Sequence, residues 1–219
     1  QEALPLISSL LLTDGCLYFD KKRPVTLYYG TDVILHNIFA DLIWYYFNLR
    51  PSSYMTRCGK VFRTKYINKN IASKLLALSP SYKKKPNFNE TWKNLLSNPK
   101  QPSLSFIKNY DDFIAKEVIR LAMCADGCIS ISNRKKRKTI MLTLMLSCAH
   151  PFLVQEWAML FDRIGIKNNI VGGMSKTRIA GVKGIKDSVL RFNEIGGFIE
   201  GVKVCVHASP LYGIEKQKI

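Results

Sequence analysis

The chain has 219 residues, enough to bury a sizeable core in one or two domains. Its 33 Lys plus Arg against 16 Asp plus Glu give a net charge of +17, which calls for a polyanionic partner, nucleic acid or an anionic membrane surface. No apolar run reaches the roughly 18 residues of a bilayer span, so no membrane partner is expected.

In chain order, Pro5 suits the first turn of a helix. Leu6, Leu10 and Thr13 recur at helical spacing until Gly15 ends the run. Segments 16–20 and 25–29 read as two strands around a turn containing Lys21-Lys22-Arg23-Pro24. Thr31-Asp32 caps a helix over 33–48 with Ile34, Ile38, Leu42, Ile43 and Phe47 as its apolar stripe. A second hairpin, 53–58 and 61–66, turns at Gly59-Lys60, and Asn68 caps a third helix. Residues 80–110 then read as a linker: prolines and the run Lys83-Lys84-Lys85 surround a short helix near 89–96.

The order then repeats. Asp111 or Asp112 caps a helix that ends at Gly127; segments 128–133 and 139–147 form a hairpin tipped by the five basic residues 134–138. A helix from Pro151 stops at Gly165, strands follow at 167–171 and 178–182, and Asp187-Ser188 caps a last helix ended by Gly196-Gly197. The predicted units are a first repeat over 1–79, the linker, and a second repeat over 111–219. Each repeat opens on the same template, Ile7-Ser8-Ser9-Leu10-Leu11-Leu12-Thr13-Asp14-Gly15 and Ile119-Arg120-Leu121-Ala122-Met123-Cys124-Ala125-Asp126-Gly127, with the aspartates 112 positions apart. One Asp-Gly helix end is ordinary punctuation. Two at half-chain spacing on a basic chain point to two helices side by side, each delivering one carboxylate to a shared point.

Six cysteines lie in apolar segments with no C-x-x-C pair. Cys148-Ala-His150 and Cys205-Val-His207 fit no common zinc module. Free thiols in a reducing, intracellular compartment (cytoplasmic or organellar) are expected, and the start at Gln1 lacks the basic region of a secretion signal.

With both motifs and their following elements placed, the chain resembles the LAGLIDADG homing endonucleases in their single-chain, two-motif form. Ser8-Ser9 stand where a small pair is expected, whereas Arg120-Leu121 do so in the second copy, leaving close helix contact to Ala122 and Ala125. The resemblance implies an α+β fold of two pseudo-symmetric α-β-β-α-β-β-α repeats packed through the motif helices. Its antiparallel sheets would form a saddle over double-stranded DNA.

It also implies an intron-encoded, monomeric, site-specific enzyme that hydrolyses DNA phosphodiesters in a long asymmetric target. Mg²⁺ or Mn²⁺ would be held by Asp14 and Asp126 with the carbonyls of Thr13 and Ala125, with Ca²⁺ as a substitute that does not support cutting. Lys65 and Lys183, at matching strand ends, would orient water or stabilise charge. The alternating strand positions read as free for DNA are Tyr18, Asp20, Lys22, Arg23, Thr26, Tyr28, Tyr54, Thr56, Lys60 and Arg63. Their counterparts in the second repeat are Ser130, Ser132, Arg134, Lys136, Lys138, Met141, Thr143, Lys176 and Arg178. The competing reading is a protein on the same scaffold that binds without cutting, an intron RNA maturase or a DNA-binding regulator.

Overall fold

The structure is a computed structural model that describes residues 2–57, 60–83, 100–134, 139–148, 150–172, 180–185, 187–204 and 211–219. Helix α1 (Ala3–Asp14) is buried around nearly its whole circumference, as a helix apolar on most sides must be. Its main helical neighbour is α4 (Asp112–Asp126), whose first turn is capped by the Asp111 carboxylate accepting from the Ile114 amide at 2.9 Å. The small Ser8-Ser9 pair does more than leave room. Ser9 Oγ donates to the Val118 carbonyl of α4 at 3.1 Å, and Ser8 Oγ meets the Tyr82 hydroxyl at 2.7 Å. On the facing helix, Ala115 and Ala122 are fully buried, while Arg120 reaches sideways to Glu117 and to the carbonyls of Gly196 and Gly197.

Each helix runs straight into the first strand of its own sheet. The first sheet holds β1 (Gly15–Asp20), β2 (Arg23–Tyr29), β3 (Ser53–Arg57) and β4 (Lys60–Tyr66) in the order β1-β2-β4-β3. The second holds β5 (Gly127–Arg134), β6 (Thr139–Cys148), β7 (Asn168–Val171) and β8 (Ala180–Gly184) in the order β5-β6-β8-β7. Both are antiparallel throughout. Helices α2 (Val33–Phe47), α3 (Lys69–Leu78), α5 (Pro151–Arg163) and α6 (Ser188–Glu194) complete two copies of one element order. The glycines at the junctions answer to space rather than to left-handed backbone. Gly15 has φ −116° and Gly127 φ −98°, yet a Cβ there would lie 2.8 Å from the Leu11 Cα and 2.6 Å from the Met123 Cα.

Two sequence expectations shift. The first hairpin turns on Lys21-Lys22 alone, with φ 45° and 68°, so Arg23 and Pro24 belong to β2. Two successive positive φ values suit the twist of a two-residue loop, but Lys-Lys gives none of the usual Asn-Gly signal for it. Asp187 sits at φ 61° and makes no side-chain cap to α6. The short helix near 89–96 lies outside the described residues. The end of the linker is built onto α5: Glu156 accepts from Ser103 Oγ and the Leu104 amide, and Arg163 donates to the carbonyls of Ile107 and Tyr110.

The C-terminal segment ties the repeats together. The Ile199 amide donates to Cys124 Sγ on α4, and the Lys203 amide donates to Asp32 at the start of α2, in the other repeat. Phe198 and Val202 are buried in the shared core.

Candidate metal site and nucleic-acid interface

Asp14 and Asp126 are the last residues of α1 and α4, half-buried where the two helices hand over to their sheets. Helices α1 and α4 pack against each other, with Ser9 Oγ donating to the Val118 carbonyl, so the two helix ends belong to one packed pair. The pKa of the buried Tyr28 hydroxyl is pushed well above its ordinary value, first by burial, then by the charges of Asp14 and Asp126. The position is electrostatically uncomfortable. A helix C-terminus is the negative end of the macrodipole, and neither motif helix carries a basic residue in its last turn. Two carboxylates and two sets of terminal carbonyls therefore concentrate hard oxygen atoms and negative charge. Such a donor set fits Mg²⁺ or Ca²⁺, and Mg²⁺ in particular is commonly bound by only one or two carboxylates, with waters and substrate phosphates completing its shell. Among the described residues there is no group of three or more His, Cys, Asp or Glu side chains that could hold a metal by themselves.

The histidines have structural partners. His36 is buried between Thr64 Oγ1 at 2.7 Å and the Gly30 carbonyl at 3.0 Å. His150 caps α5 through Nδ1 while its Nε2 meets Gln101 at 3.0 Å, and burial lowers its pKa to about 4. The Cys124 thiol, pushed up to about 11 by burial, is equally far from reactive. His207 and Cys205 lie outside the described residues.

The sheet face turned away from the helices is fixed by Tyr28, which stacks on Phe39 of α2 with ring centres 5.1 Å apart. Tyr28 and Thr26 thus face the helical layer and are buried, with Thr64 and Tyr66 beside them. This corrects their expected place on the free face. The cause is hairpin arithmetic: an even-membered loop pairs even positions with odd ones, so Tyr18 stands beside Val25, not Thr26. Tyr18, Asp20, Arg23 and Arg63 do lie on the outer face, and Lys22 occupies the turn. Tyr54 is paired with Thr64 and so has the helix-side phase, although it is exposed. A bulge between Met55 and Thr56 returns Thr56 to the phase of Arg63, and the backbone of Lys60 pairs with Arg57.

In the second sheet, Ser130, Ser132 and Arg134 pair with Thr143, Met141 and Thr139, and Leu144, Leu146 and Val182 mark the buried side. Thr143, expected to be free for DNA, is instead buried at 3% exposed. Lys136, Lys138, Lys176 and Arg178 lie outside the described residues.

The two lysines fall on equivalent rungs. Lys65 pairs with Leu27, which pairs with Cys16; Lys183 pairs with Met145, which pairs with Cys128. Cys16 and Cys128 each stand two positions after a motif aspartate, so each lysine shares a rung with the start of its sheet, on the outer face. Sequence reading missed the outer-face Tyr29, Met55 and Asn169. It also missed that Arg63 carries a buried Nε with no hydrogen-bond partner in the protein.

No protein-family model matches this chain, and no curated protein matches it by sequence. Solved structures do match by shape. I-WcaI bound to its DNA recognition sequence superimposes with a TM-score of 0.58 at 11% identity, covering 92% of this chain and 84% of that one. The LAGLIDADG homing endonuclease I-GzeII in complex with its DNA target gives 0.51 at 13%, covering 89% and 84%. The fold is that of the LAGLIDADG homing endonucleases. I-DmoI in complex with DNA and Ca gives 0.56 at 12% identity, covering 97% of this chain and 94% of that one. A LAGLIDADG-type fold accounts for the element order, the paired central helices and the two four-stranded sheets together.

Proposed function

We propose that this protein is a site-specific, divalent-metal-dependent DNA endonuclease that cuts both strands of a long duplex target lying across its two sheets. The observation that carries the proposal is that Asp14 and Asp126 are the last residues of two helices packed against each other, each at the entry to its own sheet. The neighbours in shape, solved as complexes with DNA, support the same reading.

Asp14 and Asp126, with the Thr13 and Ala125 carbonyls, would hold Mg²⁺ or Mn²⁺, which supplies activation of water and stabilisation of the leaving oxygen. The chain's own residues do the rest. Tyr18, Arg23, Arg63 and Ser130 on the outer faces seat the duplex by phosphate and base-edge contacts. Lys65 and Lys183, one per sheet on matching rungs, place one ammonium near each reacting phosphate and favour the charge that grows there.

The test selects duplexes from a random library by binding in Ca²⁺, then adds Mg²⁺. Cutting of both strands by the natural protein, and its loss with retained binding in Asp126→Asn, is the expected result. Tight binding to a selected duplex without any cutting overturns the enzyme reading in favour of a binding protein on this scaffold.

A further inference from the structure

The Lys216 side chain comes from the last turn of the chain and is buried, 8% exposed, against the end of α4. Its Nζ donates to the carbonyls of Cys124 at 2.7 Å, Gly127 at 2.8 Å and Met123 at 3.3 Å. Three acceptors around one nitrogen match the three protons of an ammonium group. The same nitrogen lies 5.6 Å from the centre of the Phe198 ring, within cation–π range. A buried charge is tolerated only when fully hydrogen-bonded, and here the negative end of a helix supplies the acceptors.

These carbonyls bracket Ala125 and Asp126. The matching carbonyls of α1, those of Leu11, Leu12 and Gly15, receive no lysine or arginine among the described residues. The two motif helices are therefore finished differently, one by its own sequence and one by a residue 90 positions downstream of Asp126.

We infer that Lys216 is a positioning residue: its ammonium clamps the last turn of α4, fixes Asp126 and the Ala125 carbonyl, and makes the two half-sites inequivalent. The inference rests on the proposed function only for its consequence in cleavage. Without the clamp, the Asp126 half-site loses its set geometry while the Asp14 half-site keeps it. One strand is then cut more slowly than the other.

Two variants test this: Lys216→Met, which keeps length and apolar bulk but removes the charge, and Lys216→Ala, which leaves space for a small cation. The first readout is amide hydrogen exchange in the free protein, which needs neither metal nor DNA. Lys216→Met should speed exchange at 125–128 by about tenfold or more, the scale of losing charge-assisted hydrogen bonds, and leave 13–16 within about twofold. Methylammonium should restore protection in Lys216→Ala, a response that mere loss of packing does not give. Equal acceleration at both helix ends, no acceleration, or no rescue overturns the positioning role.

The second readout uses a selected duplex with each strand labelled. Nicked duplex should accumulate in Lys216→Met with binding in Ca²⁺ unchanged. Selective exchange with both strands still cut at unchanged relative rates overturns the half-site inequivalence. If the natural protein itself binds but never cuts, the endonuclease reading fails, and the exchange and rescue results still decide the clamp.

Discussion

The two repeats solve the same local problem, a carboxylate at the negative end of a packed helix, with different means. At the end of α1, Thr13 turns its hydroxyl back to the Ser9 and Leu10 carbonyls, and Ser9 bonds across to α4. At the end of α4, a lysine from the C-terminal tail supplies the charge, and Cys124 is held by the tail's Ile199 amide. Helix ends built within the motif depend on a dozen residues; the second depends on a segment folding back from the end of the chain. What this teaches is that pseudo-symmetry of the backbone does not require symmetry of support. A shared helix-to-strand backbone survives when its second copy draws on distant sequence.

The strongest way to break the comparison is to remove each carboxylate in turn. Asp14→Asn and Asp126→Asn are each expected to lower strand cleavage by roughly 10²–10³-fold or more. Binding of a selected duplex in Ca²⁺ should persist in both, read by mobility shift. If only one substitution matters, the two helix ends are not two halves of one site.

The next effect compares two buried histidines, His36 and His150. Both have pKa values lowered by burial, His150 to about 4 from an ordinary 6.5. A lowered folded value means that the unfolded chain binds the extra proton first. Stability from His150 is therefore whole above about pH 6.5 and is lost as pH falls toward 4. The span corresponds to a loss on the order of 3 kcal/mol at most. His150→Asn keeps a capping acceptor but removes the proton site, so its melting temperature should fall less between pH 7 and pH 4.5 than that of the natural protein. His36, pinned by Thr64 and Gly30, should leave a smaller acid sensitivity in that variant. An unchanged slope in His150→Asn would place the acid sensitivity elsewhere.

Much of this architecture is legible in the residues because local signals and global pattern agree. Asp32, Asn68 and Asp111 cap helices as their positions predict, and Asp14 and Asp126 end theirs. The phase of the second sheet is legible because Leu144 and Leu146 mark its buried side. In the first sheet, Thr26 and Tyr28 look like ligand-facing residues. Their burial follows from the two-residue Lys21-Lys22 loop and from Phe39, neither of which announces itself locally. Lys216 was out of reach for a different reason. A lone lysine in a basic tail carries no sign that it will be buried, and only the fold brings it to α4.

The smallest expected effect bears on that phase. Thr26 and Thr143 are both nearly inaccessible, at 1% and 3% exposed, but they belong to opposite sides of their sheets. Thr26 Oγ1 faces the helical layer with no hydrogen-bond partner, a buried polar atom whose desolvation nothing offsets. Replacing it by the isosteric Val should raise stability by about 1 kcal/mol and leave duplex affinity unchanged. Ser130, paired with Thr143, is half-buried on the outer face. Ser130→Ala should leave stability nearly unchanged and weaken binding to a selected duplex by a few-fold, with the loss confined to a few target positions. Denaturant midpoints and competition binding separate the two. If Thr26→Val weakens binding and Ser130→Ala does not, the outer face has been assigned backwards in both sheets.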